Sequence, residues 1–450
     1  MASQKKSTLL TYLAVLLIVL AGTALRVSYN ANTFIVDPVR ADAANYLKYA
    51  HNMLDYGIFS KDIKPPPVPD AFWAPGFPLY LSAVIKISQW LSLDTYNFIL
   101  ASQVLLGAGT IFLCYLVSAA FLSTYWALLP PLLVAGSPHL VATGSYVLTE
   151  TLFGFLLLLS LYSLSRALAS DRKLSWLLTG LSFAVCYLVN PIALLLPPLL
   201  ATGLLLRERY QAVNTKRSRL VLCAALLIAP VIIASTAWTV RTVISVPPGQ
   251  PTASGRLVTN LIIGIYPDYH QKWRDSILKP QQKIKVPGTD IDQSYGAFFS
   301  ELGRQFTSDP IRTLRWYAID KPILLWDWDI RTGWGDIYIY RIKYSLYQTS
   351  ATAIASYAIM KSVHAWLLAC AALGLGYLFF AHQGQAVLPT MIYLSALYIS
   401  GVYVLSQSEP RYSIPLRPEL YICATFFMWR SWEWIERKRR LSQMTADQPT

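Results

Sequence analysis

The sequence predicts an all-α polytopic membrane protein of about ten transmembrane helices with a large outer loop region, and three observations carry that expectation. Of 450 residues, 54% are hydrophobic and only 14% charged, with a mean hydropathy of +0.41, where a soluble globular chain has about 25% charged residues. Apolar runs close to the roughly 20 residues that cross a bilayer recur from residue 8 to residue 430. The formal net charge of +14, from 38 Lys and Arg against 24 Asp and Glu, fits the gathering of basic residues in cytoplasmic loops. Together these exclude a secreted soluble enzyme, a nucleic-acid-binding domain and a single-anchor receptor.

The first run, Thr8 to Arg26, follows Lys5 and Lys6 and exceeds the apolar core of about 7 to 15 residues in a signal peptide. A signal anchor is therefore expected, although Ala21-Gly-Thr-Ala24 offers a small-residue cleavage site. Further runs follow at about 76–92, 96–122, 125–148, 150–168, 174–190, 191–206, 219–241, 362–381, 386–406 and 413–430. The clusters Arg166/Arg172/Lys173, Arg207/Arg209/Lys216/Arg217/Arg219 and Arg430/Arg437/Lys438/Arg439/Arg440 belong inside by the charge rule. That places both termini in the cytoplasm and segments 27–75 and 242–361 outside. The expected division is an N-terminal transmembrane core, 1–241, containing a first outer, catalytic loop, 27–75; a cap, 242–361; C-terminal helices, 362–430; and a cytoplasmic tail, 431–450.

Parity adds a constraint. Three runs separate the first outer loop from Glu150, and both are outside only if one run is not a full crossing. The candidates are 76–92, which carries Lys86, and 125–148, interrupted by Pro130, Pro131 and Pro138; the sequence does not choose between them.

The five cysteines all lie in apolar runs without CxxC spacing, as inert packing residues do. His51, His139, His270, His364 and His382 form no HxxxH pair for a metal. In the first outer segment Ala43, Tyr46, Ala50 and Leu54 recur at helical spacing up to Gly57, the pattern of an amphipathic helix on a membrane surface. Asp42 at its start is either an N-capping acid or a carboxylate base at the mouth of a cavity. The proline-rich stretch 61–81 is a plain loop or a rigid wall. Glu150, Trp238 with Arg241, and Glu409-Pro-Arg411-Tyr412 sit at span ends, where a single charge is ordinarily an interfacial anchor. Converging on one face, two acids and several arginines could instead handle a phosphate-bearing substrate, the arginine fork matching phosphate oxygens and an acid taking a proton. Ser254-Gly255 with Gly264 is too sparse for a phosphate loop, and 270–320 reads as a small polar outer cap.

These pieces resemble the GT-C superfamily of polyprenyl-phosphate-sugar glycosyltransferases, in its protein O-mannosyltransferase and lipid A aminoarabinose transferase branches. The carriers are Asp42-x-x-x-Tyr46-x-x-x-Ala50, Pro75-Gly-Phe-Pro-Leu-Tyr-Leu81, Leu148-Thr-Glu150, Val189-Asn-Pro191, Trp238-Thr-Val-Arg241 and Pro410-Arg411-Tyr412-x-x-Pro415, in matching order along nearly the whole chain. The resemblance implies a GT-C-like fold and an inverting transfer of a hexose or pentose from a polyprenyl-phosphate carrier to an extracytoplasmic lipid, glycan or protein. It makes Asp42 the base toward the acceptor hydroxyl and Glu150 a second catalytic acid that orients the acceptor, supports the base or holds a divalent ion. Arg241, Arg411 and Tyr412 fall near the lipid phosphate, with Tyr46 and Lys64 as further substrate-binding residues. Relatives often carry a second acid after the catalytic Asp, whereas this chain has Ala43; no cofactor is expected to be required, with a divalent metal left open. Trp73-Ala74 stands where a basic residue often precedes the Pro-rich entry, and Lys64 is a poor substitute.

The rival from another class is a polytopic carrier or flippase for a lipid-linked glycan, or a non-catalytic member. Few charges lie at span centres and no internal repeat appears, unlike most transporters. The cysteine pattern and the lack of a retention signal point to a bacterial cell membrane. Donor sugar, acceptor, carrier length and oligomeric state are not encoded legibly.

Overall fold

The computed structural model describes residues 2–170, 172–211, 217–380 and 386–446. Lys216, His382 and the side chains of Lys5, Lys6, Arg207, Arg209 and Arg217 lie outside what is described.

Helix α1 (Ala2–Ala31) enters first and leads to a two-residue strand, β1 (Phe34–Ile35). Helices α2 (Ala41–Tyr56) and α3 (Gly76–Trp90) follow, then α4 (Thr95–Ala119), the short α5 (Leu129–Gly136) and α6 (Pro138–Thr143), α7 (Thr149–Ala169), α8 (Lys173–Val189), α9 (Leu196–Gln211) and α10 (Arg217–Ser245). The cap contains α11 (Ala253–Ile263), α12 (Tyr269–Leu278), α13 (Tyr295–Ser308), α14 (Pro310–Arg315), α15 (Lys321–Leu325), strand β2 (Ile342–Tyr344), antiparallel to β1, and α16 (Leu346–Thr349). The chain returns through α17 (Ala351–Phe380) and α18 (Val387–Leu405), then α19 (Pro410–Ser413) and α20 (Arg417–Ala446). Helix α10 runs on to Ser245 and α17 starts at Ala351, so the expected 242–361 cap shares residues with the helices at both its ends.

Among the described residues six helices, in α1, α4, α7, α10, α17 and α18, are long and apolar enough to cross a membrane. The molecule is an all-α polytopic membrane protein. Side-chain contacts give the direction of each pass. At one end Ser145 Oγ donates to Asn30 Oδ1 (2.5 Å) and Gln103 Nε2 donates to the Tyr146 carbonyl (2.9 Å); deeper, Arg26 lies against Gly107 and donates to the carbonyls of Val134 and Ala135. Helix α4 therefore starts at the end marked by Asn30 and runs away from it, and α5–α6 run back. The 125–148 run crosses in two pieces, broken at Ser137–Pro138 where the backbone is extended.

Helix α3 is the run that does not cross. Its first residue abuts the backbone of Leu188 and Val189 at the end of α8, Ser82 Oγ donates to the Ala50 carbonyl (3.2 Å) so that α2 and α3 lie side by side, and Ser88 bonds Thr95 (2.9 Å) at the start of α4. Both its ends stay at the Asn30 end. Beside the six long helices, shorter apolar helices lie at Trp126–Gly136, Lys173–Val189 and Pro191–Leu206 among the described residues, which with α20 would bring the passes to the ten that the sequence predicts. The basic residues Arg172 and Lys173 at the start of α8 and Arg437–Arg440 late in α20 lie at the opposite, far end.

Candidate active site

Helix α2 forms where the amphipathic pattern predicts: Ala43, Tyr46 and Ala50 are buried, and Gly57 closes it with φ +68°, a left-handed conformation that glycine adopts without steric cost. Asp42 sits in the first turn, but Arg40 occupies the N-cap position and makes no side-chain cap. The Asp42 carboxylate instead accepts from Arg411 Nη1 at 3.1 Å. Arg411 Nε donates to Glu150 Oε1. A single guanidinium, carried on α19, thus joins the first outer segment to the start of α7. Asp42 is the open member, its side chain 33% exposed against 6% for Glu150 and 15% for Arg411. Burial pushes the Arg411 guanidinium down, but Glu150 and Asp42 outweigh it and hold the group charged, well above its usual range.

A wall of aromatic rings surrounds this bridge. Tyr46, buried, packs edge-on to Phe77 (4.9 Å) and against Trp73 (4.8 Å); burial and the nearby Asp42 raise its hydroxyl well above the usual range. Tyr412 stacks on Tyr403 (4.8 Å) and donates to Gln407 (3.4 Å). Tyr340 donates to the Arg40 carbonyl (3.1 Å), and burial lifts it to about 12.

Of the residues singled out in the sequence, Asp42, Glu150 and Arg411 meet directly, with Tyr46 and Tyr412 beside them. Two others do not join them. Arg241 donates to the backbone carbonyls of Asp70 (2.6 Å) and Phe59 (3.0 Å) and lies over the rings of Phe59 and Trp238; its guanidinium clamps the 59–70 loop. Lys64 is exposed, and its backbone N–H donates to Asp62 (3.1 Å). Arg256 was not singled out and does approach the site. It projects from α11, 4.2 Å from the centre of the Trp73 ring and within electrostatic reach of Tyr46 and Tyr49, and among the described residues no carboxylate pairs with it. Its neighbours Ser254 and Gly255 lack the glycine spacing of a phosphate loop, and no local pattern in the sequence marks the arginine.

Glu409 and Lys321 fasten the cap beside the site. Glu409 Oε1 accepts from the backbone of Arg331 (2.8 Å) and Thr332 (3.1 Å), and its other oxygen lies 3.3 Å from His270 Nδ1. Because His270 Nε2 faces the Ser408 carbonyl at 2.6 Å, it carries a proton, and burial keeps the Glu409 carboxyl above its usual range. Lys321 Nζ donates to the carbonyls of Gly264 (3.1 Å) and Ser406 (2.6 Å). A Cβ at Gly264 would fall 1.8 Å from the Ser406 oxygen, so no larger residue permits this contact.

The fit of a divalent ion is testable on the same geometry. No group of three or more His, Cys, Asp or Glu side chains among the described residues could hold a metal, and the gap between Asp42 and Glu150 is filled by the Arg411 guanidinium, bonded to both. A cation bridging the two carboxylates would have to displace it. The residues do not fit a metal centre.

Residues 77–238 match the family described as dolichyl-phosphate-mannose-protein mannosyltransferase. No curated protein matches the chain in sequence. Among solved structures, the archaeal oligosaccharyltransferase AglB from Archaeoglobus fulgidus, in complex with an inhibitory peptide and a dolichol-phosphate, is similar with a TM-score of 0.51 and 10% identity over 98% of this chain and 52% of that one. The same enzyme in its apo form gives 0.52 and 10% over the same shares. The S. cerevisiae protein O-mannosyltransferase Pmt1-Pmt2 complex bound to the sugar donor gives 0.43 and 14% over 62% and 37%. The chain spans about half the length of the oligosaccharyltransferase. The helical bundle shares the GT-C-like fold of the archaeal oligosaccharyltransferase.

Proposed function

We propose that the protein is an inverting glycosyltransferase that moves a hexose or pentose from a polyprenyl-phosphate carrier to a lipid, glycan or protein on the extracytoplasmic face of the membrane. The observation that carries the proposal is the Arg411 bridge, which assembles Asp42 and Glu150, 108 positions apart in sequence, at one end of the bundle. The basic residues at the far end support an outward-facing site with cytoplasmic termini. The family match over 77–238 and the similarity in fold to an oligosaccharyltransferase in complex with a dolichol-phosphate support the substrate class.

In this reading Asp42, the more exposed acid, accepts the proton of the acceptor hydroxyl as that oxygen bonds to the anomeric carbon from the face opposite the phosphate. The bond from anomeric carbon to phosphate oxygen breaks and its electron pair leaves with the lipid phosphate. Glu150, almost buried, holds Arg411, and Arg411 holds Asp42 in line. Positive charge for the departing phosphate comes from Arg256. Arg411 supplies the cation between the acids, and no divalent metal is required.

The test is transfer from labelled polyprenyl-phosphate sugars to membrane lipid and glycan extracts by purified protein, with and without EDTA. The wild type should turn over equally in both. Asp42→Asn should lose about 10²- to 10⁴-fold, the span of general acid–base contributions, while eluting as folded protein; near-normal transfer by that variant would remove Asp42 as the base.

A further inference from the structure

The segment 310–325 forms one helical run, α14 continuing through a π-turn at Trp316–Asp320 into α15. One face is docked: Thr313, Trp316, Lys321 and Leu325 are buried, Trp316 Nε1 donates to the Gly264 carbonyl (3.0 Å), and Lys321 reaches Gly264 and Ser406. The other face carries Ile311, Leu314, Ile319 and Ile323, exposed by 81%, 61%, 52% and 65%. Four large aliphatic side chains in a row are not an ordinary water-facing surface.

The place of the run identifies what covers it. Ser406, which Lys321 grips, directly follows Leu405, the last residue of α18. The run therefore lies beside the end of a helix long and apolar enough to cross a membrane, whose own Leu397 and Leu405 are exposed by 47% and 63%. Arg312 and Arg315 stand on the exposed side, the Arg315 guanidinium 69% exposed beside Asp320.

We propose that helix 310–325 is embedded in the bilayer interface on the site side, with Ile311, Leu314, Ile319 and Ile323 at the boundary between headgroups and acyl chains and Arg312 and Arg315 at lipid phosphates. Through Lys321 and Trp316 it moors the cap to the membrane surface at the segment that precedes Glu409 and Arg411. The inference rests on the membrane fold and is independent of the reaction.

The experiment uses full-length protein in phosphatidylcholine/phosphatidylglycerol nanodiscs with a bimane label on Ile319→Cys or Ile323→Cys. Lys272→Cys, on the polar helix α12, is the control, and the wild type, whose cysteines are buried or half-buried, sets the labelling background. The labels at 319 and 323 should be quenched several-fold more strongly than the control by lipid carrying a nitroxide at acyl carbon 5, and several-fold less by aqueous iodide. Iodide quenching equal to the control would overturn the proposal by placing the face in water. Protection from iodide without quenching by the lipid nitroxide would also overturn it, because the occupant would then be protein, a second copy of the chain included.

Discussion

Arg411 shows how one side chain acquires a meaning its position in sequence does not carry. An arginine at a span end is commonly an interfacial anchor, yet here it is 15% exposed and bonded to two carboxylates. Removing one partner of such a buried pair leaves an uncompensated charge, at a cost of about 3–5 kcal/mol. Arg411→Ala should therefore lower thermal stability as well as abolish transfer, since Glu150 is left buried and unpaired. Glu150→Gln keeps shape and hydrogen-bonding capacity and should reduce activity with a smaller loss of melting temperature; equal destabilisation by the two variants would show that the bridge does not carry the charge argued for it. Arg256 makes a contrasting prediction. It stacks on Trp73 without a carboxylate partner, so Arg256→Ala should leave the melting temperature nearly unchanged and lower kcat/KM for the phosphate-linked donor by about 10²-fold, the lower end of what removing one preorganised donor costs. An unchanged kcat/KM would take Arg256 out of the site.

At the scale of the element, the cap is held by few but specific contacts, and one of them titrates. Burial pushes Lys321 down to about 7, whereas an unperturbed lysine titrates near 10.4. Between those values the undocked segment binds more protons than the docked one, so docking strengthens as pH rises from about 7 to about 10, and below 7 the full cost of burying the charge is present. Hydrogen exchange over 258–264 and 316–325 should slow across that window. In Lys321→Met, which keeps the stem and loses the amine, the pH slope should vanish; a slope retained in that variant would assign it to another group, with the buried Glu409 carboxyl the next to test. Helix α2 is the element the sequence described best: apolar positions at helical spacing and a terminal glycine dictate an amphipathic helix with little help from the rest of the chain. Helix α3 is the opposite case. Its run is as apolar as a crossing segment, and only its pairing with α2 and the turn from Ser88 to Thr95 keep it on the surface.

At the scale of the whole molecule, the number of passes decides which side each loop faces. Because α3 does not cross and α5–α6 do, the 91–94 turn lies on the same side as the 57–70 loop, and the 120–125 turn lies on the other. Single cysteines at Asp94 and Asp62 should both react with a membrane-impermeant maleimide added from outside, and one at Ser123 only after the membrane is opened; labelling of 123 before 94 would invert this topology.

Composition and hydropathy determined the membrane class and the approximate helix ends, because a bilayer imposes the same length rule on every crossing. Short motifs in order also pointed to Asp42, Glu150 and Arg411. Which run fails to cross, which arginine reaches the acids, and that Arg241 is committed to backbone carbonyls while Arg256 is not, were decided only in the folded structure. The physical reason is that these are contacts between segments up to 369 positions apart, set by where helices pack and not by local spacing, and a guanidinium has the same appearance in sequence whether it meets a carboxylate, a carbonyl or a ring.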